Sequence, residues 1–193
     1  MYEYVSGKIV ESSPAHVVIE NNGLGYFLNI SLTTYTAIKE LKETTLYVHE
    51  NIREDAYLLF GFYNQEERTL FRQLISVSGI GANTARMMLS SMPPGELKVA
   101  IITGNANQLK GIKGIGLKTA QRVIVELKDK LGKEGSDEKL FMATDNTVRE
   151  EALSALVMLG FARAASQKVV DKLLVADPGS KVEQIIKQAL KML

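Results

Sequence analysis

Two stretches decide how this chain folds: LISVSGIGANTA, Leu74–Ala85, and LKGIKGIGLKTA, Leu109–Ala120. They align at an offset of 35 residues with six of twelve positions identical, so one supersecondary unit occurs twice. Each copy reads as helix, Gly-Ile-Gly turn, helix. The glycines of Gly79-Ile80-Gly81 and Gly114-Ile115-Gly116 permit positive φ and the close approach of another backbone. Ile80 and Ile115 are placed to pack between the two helices of their hairpins. The second glycine and the residues after it, with Asn83 and Thr84 in one copy and Lys118 and Thr119 in the other, open a helix. Unpaired N–H groups and the helix dipole favour an anion there. Such a turn is a phosphate seat that reads no base. Two of them on a pseudo-two-fold unit could grip both strands of a duplex across the minor groove.

Other glycine-rich loops fit less well. A phosphate loop of the Walker type needs Gly-Lys-Ser/Thr at its end, but after Gly111-Ile-Lys-Gly-Ile-Gly116 the residue Leu117 intervenes and Lys118-Thr119 comes one position late. A dinucleotide fingerprint needs Gly or Ala where Thr84 and Thr119 stand, inside a strand–helix–strand unit that is absent from the pattern. The plainest alternative is a pair of tight helix–helix turns with no ligand. Local charge argues against it: residues 63–131 carry 10 Lys/Arg against 5 Asp/Glu. Residues 1–62 carry 4 against 8, and residues 132–193 carry 9 against 9. A net charge of +1 therefore hides a basic middle beside an acidic N-terminal third, a pattern suited to a polyanion partner.

Outward from the repeat, residues 1–63 read as five short strands. β-rich runs fall at Tyr4–Val10, Val17–Ile19, Tyr26–Ile30, Thr45–Val48 and Tyr57–Phe62, with a turn signal at Asn21-Asn22-Gly23 and a brief helix near Thr34–Leu41. A small barrel is predicted. From Asn64 the period becomes helical: Asn64 and Glu67 suggest a capping box, and Leu70, Phe71, Leu74 and Ile75 share a face. Pro93-Pro94-Gly95 stops the helix ending near Met92. Helices follow at Glu96–Thr103 and Lys118–Leu131, closing a domain over 64–131. Residues 132–146, GKEGSDEKLFMATDN, predict a flexible linker. Capping boxes at Thr147/Glu150 and Ser180/Glu183 introduce amphipathic runs at Val148–Leu159 and Val182–Leu193, with a third at Arg163–Val175. Residues 147–193 then form a three-helix bundle. The fold class is α+β and multidomain.

Composition excludes several function classes. The chain has no cysteine, so disulfides, thiolate zinc sites, iron–sulfur clusters and thiol nucleophiles are ruled out. The opening MYEYVSGKIVESS lacks the basic and apolar regions of a secretory signal, and no apolar run nears the roughly 20 residues that span a bilayer. The expectation is a soluble, cytoplasmic protein with no membrane partner, cofactor, metal or catalytic residue. His16 and His49 are far apart with no acidic or serine motif beside them, and read as strand residues. Asp129, thirteen residues after Gly116, belongs more naturally to a solvated helix face than to a glycosylase active site. Met87, Met88 and Met92 read as core.

The paired turns resemble the helix-hairpin-helix motif in tandem. With Arg53-Glu54-Asp55-Ala56, Leu59-Phe60-Gly61-Phe62, Gln65-Glu66-Glu67-Arg68-Thr69-Leu70-Phe71 and Leu159-Gly160-Phe161 in that order, nearly the whole chain resembles the RuvA family of Holliday-junction-binding proteins. The resemblance implies an OB-type N-terminal barrel that gathers four subunits, or eight in two tetramers, around a four-way junction. It implies tandem hairpins that hold the DNA arms, and a small UBA-like C-terminal domain that contacts the ATP-driven RuvB motor. It further implies that the junction resolvase RuvC joins the larger complex. Glu54 and Asp55 match the family's acidic pin, whose carboxylates repel phosphates at the crossover. Exposed apolar residues of the last domain are the expected motor contacts, with Leu156, Leu159, Phe161 and Leu190 as candidates. Recognition would follow junction shape, and ATP hydrolysis would belong to the partner.

The chain departs from the family pattern in three places. Asn83 stands where the first hairpin often has lysine, Lys113 replaces a proline before the second Gly-Ile-Gly, and Met1–Gly7 is less basic than in many relatives. The first seat is therefore expected to rely more on backbone N–H groups. Two readings compete with the junction-binding one: a fragment of a helix-hairpin-helix repair glycosylase or nuclease, and a protein-only adaptor built on the C-terminal bundle.

Overall fold

A computed structural model describes residues 2–140, 144–177 and 179–193, with side-chain surroundings given for 2–132, 148–177 and 179–193. The chain divides into two compact units, Met1–Gly132 and Lys133–Leu193.

The first unit opens with five strands, β1 (Tyr4–Ser12), β2 (His16–Asn21), β3 (Leu24–Ile30), β4 (Glu43–Ile52) and β5 (Tyr57–Phe62), and helix α1 (Leu32–Ile38) lies between β3 and β4. They close into a barrel in the order β1-β2-β3-β5-β4. All neighbours are antiparallel except β3 and β5, which run parallel with Leu28 opposite Leu59. The expected barrel is present. The β2–β3 hairpin turns through Asn22 and Gly23, both at positive φ (49° and 83°), the geometry that matches the right-handed strand twist. Alternation places Val17 and Ile19 of β2, Leu28 and Ile30 of β3, and Leu46 and Val48 of β4 inside one apolar cluster. The β4–β5 hairpin crosses over at Arg53–Ala56, closed by the Arg53 N–H donating to the Ala56 carbonyl at 2.8 Å.

Six helices begin in this unit, counting α1: α2 (Gln65–Ile75), α3 (Ala82–Ser91), α4 (Pro94–Ile102), α5 (Ala106–Lys110) and α6 (Leu117–Leu140) follow the barrel. Asn64 caps α2, its Oδ1 accepting the Glu67 N–H at 2.8 Å. The return half of the expected capping box is absent: the Glu67 carboxylate turns inward to the hydroxyls of Ser31 and Thr34. Pro94 occupies the first turn of α4, where its missing N–H costs nothing. Phe60 and Phe62 at the end of β5 pack on Phe71 of α2, ring centroids 5.2 and 4.8 Å apart. One cluster of buried residues thereby joins the barrel's end to all five helices that follow it.

Two expectations for this region are corrected. Met88 and Met92 are buried, but Met87 is 38% exposed, because it lies on the outer face of α3. α6 runs on to Leu140, through much of the segment 132–146 that reads as a flexible linker. Lys133, Glu134, Glu138 and Lys139 extend a helix as readily as they solvate a loop. Residues 141–143 of that segment lie outside the described residues.

In the second unit, α7 (Thr144–Met158), α8 (Arg163–Ala176) and α9 (Val182–Ala189) pack around Ala152, Leu156, Val170, Ile185 and Ala189. Arg149 of α7 forks onto Asp171 of α8 through Nε and Nη2, at 2.6 and 3.1 Å. α7 begins three residues before Thr147, so Thr147 is not its cap. Ser180 does not cap α9 either. Its hydroxyl donates to Asp177 at 2.7 Å, and the Lys181 N–H donates to the Gln184 side chain at 3.2 Å, one residue later than the expected box.

Candidate nucleic-acid interface

The two Gly-Ile-Gly turns have the same hydrogen bonds, 35 residues apart. In the first, Val77 N–H donates to Leu74 at 3.1 Å, Ile80 N–H to Val77 at 3.0 Å, and Ala85 N–H to Gly81 at 2.9 Å. In the second, Ile112 N–H donates to Leu109 at 3.1 Å, Ile115 N–H to Ile112 at 3.0 Å, and Ala120 N–H to Gly116 at 2.9 Å. Gly79 and Gly114 hold φ of 90° and 89°, a region costly to any residue with a Cβ, which is why both turns carry glycine there. Ile80 and Ile115 are buried, so they anchor the turns and offer only backbone to a ligand.

Gly81, Asn83, Gly116 and Lys118 are exposed, and Thr84 and Thr119 are half-buried at matching positions. No side chain caps α3 at Gly81, so the first N–H groups of that helix face outward without a capping acceptor. A Cβ placed on Gly116 or Gly114 would meet nothing within 4 Å. The glycine surfaces are open, and an oxygen-rich ligand can approach the backbone directly. Lys118 adds its cation beside the second turn.

Two cations that the sequence did not single out stand at the first turn, where Asn83 brings none. Arg122 of α6 donates from Nη1 to the Ser78 carbonyl at 3.0 Å, and the same nitrogen is 3.8 Å from where a Cβ on Gly79 would stand. Nη2 of Arg53, from the β4–β5 crossover, is 4.0 Å from the corresponding point on Gly81. Only tertiary structure brings them there. A signal existed for Arg53, which adjoins the acidic pair. For Arg122 the repeat register itself was the obstacle, because its counterpart 35 residues earlier is Met87.

Glu54 and Asp55 are exposed at the tip of the β4–β5 crossover, one residue from Arg53. The acidic pair and the first turn therefore lie on the same side of this unit, within reach of one arginine. His16 bonds Ser13 and Glu11 at 2.8 Å each and stacks on Phe27, whereas His49 is partly buried against Phe71. Burial and the nearby Arg72 guanidinium hold the His49 pKa below its usual value. Asp129 is exposed on α6. Among the described residues no group of three or more His, Cys, Asp or Glu side chains is placed to hold a metal ion, and no helix is long and apolar enough to cross a membrane.

Of the four apolar residues expected to dock a partner, Leu159 (59% exposed) and Leu190 (45%) are on the surface of the second unit, and Phe161 is half-buried. Leu156 is a correction. It is fully buried, because it sits on the inward face of α7 at the centre of the bundle. Met158, 86% exposed beside Leu159, was not foreseen.

Comparison with known proteins covers nearly the whole chain. Residues 1–61 match the RuvA N-terminal domain model, residues 71–129 the SAM-like tandem helix-hairpin-helix model, and residues 147–193 the RuvA C-terminal domain model. Three similar curated proteins come from Bacteroides fragilis, at 55% identity, Porphyromonas gingivalis, at 51%, and Christiangramia forsetii, at 49%, each covering all of both chains. All three carry the name Holliday junction branch migration complex subunit RuvA.

Proposed function

The chain belongs to the RuvA family, and from that premise we propose that it binds four-way DNA junctions through phosphate and presents them to a separate ATP-driven motor. The observation that carries this reading is the pair of open Gly-Ile-Gly turns with matching hydrogen bonds and glycine φ in a basic domain. Backbone N–H groups at helix starts bind phosphate without reading bases, so recognition follows DNA shape. Gly79, Ile80, Gly81, Asn83 and Thr84 form one seat, and Gly114, Ile115, Gly116, Lys118 and Thr119 the other. Arg53 and Arg122 supply the first seat with the charge that Asn83 does not.

Four copies surround the junction, as one tetramer or two facing ones, in the cytoplasm. The subunit itself is non-catalytic, and ATP hydrolysis belongs to the RuvB hexamer, with RuvC joining the larger complex. Leu159, Phe161 and Leu190, with exposed Met158, are the residues that dock that motor. Glu54 and Asp55 stand at the crossover, where carboxylates repel phosphates and keep the exchanging strands apart.

That last role separates grip from strand separation. With Glu54→Gln and Asp55→Asn together, junction affinity is expected to persist or tighten, because the seats are untouched. Fluorescence of 2-aminopurine placed at the crossover is expected to fall, reporting bases that restack. A double variant that no longer binds junctions would instead make the acidic pair structural.

A further inference from the structure

Glu67 and Arg68, consecutive residues in the first turn of α2, are both almost fully buried, at 0% and 6% exposed. Neighbours on a helix point about 100° apart, so the two reach different parts of the barrel. The Glu67 carboxylate accepts the Ser31 hydroxyl through one oxygen and the Thr34 hydroxyl at 2.7 Å through the other. Those hydroxyl oxygens in turn accept the Thr34 N–H at 3.0 Å and the Tyr63 N–H at 3.1 Å. One carboxylate thus orients the start of α1 and the segment leading into α2.

Arg68 reaches β4 and Glu3, just before β1. Its Nη1 donates to the carbonyls of Glu3 and Val48 at 3.0 and 3.4 Å, its Nη2 to the Glu3 carboxylate, and its guanidinium lies 5.1 Å from the centre of the Tyr47 ring. Tyr47 and Val48 belong to β4, the strand that runs into the acidic crossover. α2 runs into the first Gly-Ile-Gly turn. Arg68 therefore ties β4, which leads into the acidic pair, to α2, which leads into the first seat, while Glu67 fixes the start of that same helix to α1 and, through Thr34, to the end of the strand that leaves the acidic pair.

Cohesion alone does not explain them. The phenylalanine cluster already joins barrel and helices, and buried charges stabilise a fold less than apolar packing of the same volume. Burial pushes the Glu67 pKa up, against its hydroxyl partners. The folded state thus holds that proton more tightly than the unfolded chain, and this group's contribution to stability falls as pH rises past the ordinary glutamate range. What directional polar contacts do supply is a fixed angle.

We propose that Glu67 and Arg68 are positioning residues that hold the first seat at one angle to the acidic crossover, and that this angle gives the protein its preference for four-way over linear DNA. The inference rests on the junction-binding reading above. A linear duplex needs only the seats, whereas a junction must meet the seats and the crossover at once, so preorganisation counts for the junction alone.

The test compares Kd for a four-way junction and for a linear duplex of the same arm sequence, with melting temperature alongside. Glu67→Gln keeps the shape but puts an amide donor against hydroxyls that already donate, leaving one hydroxyl proton without an acceptor. Glu3→Gln removes the charged partner of Arg68 from an exposed position, which keeps the test decisive should the first variant fail to fold. Glu66→Gln, which breaks the surface pair with Lys98 inside the helical region, is the control. The expected result is a roughly tenfold loss of junction preference in the first two variants, with duplex Kd held and the control unchanged. Folded variants that keep the wild-type preference, or that lose junction and duplex affinity in parallel, would overturn the proposal. A wild-type protein with no junction preference would instead overturn the functional reading beneath it.

Discussion

Ending the chain after Leu140 is expected to abolish stimulation of motor-driven branch migration while leaving junction binding at its full-length level. Residues 1–140 keep the barrel, both Gly-Ile-Gly turns and the whole of α6. The removed helices have a core of their own in Ala152, Leu156, Val170, Ile185 and Ala189, which shares no residue with the cores of the first unit. About 50 residues make a bundle that folds only marginally by itself, so exposed Met158, Leu159 and Leu190 are costly for it to carry. The docking role proposed for this unit accounts for them. The measurement is a strand-exchange assay with the motor and ATP beside a binding titration of the same fragment. Full migration by the fragment would move the docking surface into residues 1–140.

A comparably large effect is expected from Gly116→Val. Gly116 does not lie at positive φ, and a Cβ there meets no atom within 4 Å, so the folded state has room for the side chain. Valine is a poorer residue at a helix start than glycine, which costs about 1 kcal/mol and leaves the domain folded. The branched side chain nevertheless fills the space in which a phosphate oxygen would meet the backbone N–H groups. Junction affinity is expected to fall by roughly tenfold or more, consistent with losing charge-assisted hydrogen bonds at one seat. Gly114→Ala is the contrasting variant. At φ of 89° an alanine is strained, so it should lower the melting temperature first and weaken binding through that loss. Wild-type affinity in a folded Gly116→Val protein would show that the turn is a structural hairpin and not a seat.

Most of the fold was legible because its signals are local. Each Gly-Ile-Gly copy, each short strand between Tyr4 and Phe62 and each amphipathic stretch after Asn64 shows itself within about a dozen residues, and the 35-residue offset then pairs the two copies. What was illegible depends on contacts between distant residues. Glu67 read as half a capping box, since Asn64 stands three residues before it, but its carboxylate serves Ser31 and Thr34 more than thirty residues away. Arg122 carries no signal within its own stretch of sequence, yet it crosses to Ser78 in the other hairpin. Leu156 shares its residue type with exposed Leu159, just past the end of α7, and only the packing of three helices shows which of them faces inward. The linker misled because the residues that keep a loop in solution also propagate a helix.

A grip on phosphate that selects for DNA shape is the core of the proposed function. It is tested most directly by titrating the protein against a four-way junction and a linear duplex of the same arm sequence across a series of salt concentrations. Junction affinity is expected to fall steeply and linearly in log–log form as salt rises, as counterions released from many phosphates require. Binding to the junction is expected to be tighter than to the duplex at every salt concentration. Junction affinity that stays flat from low to moderate salt, or equal affinity for the two DNAs, would contradict it.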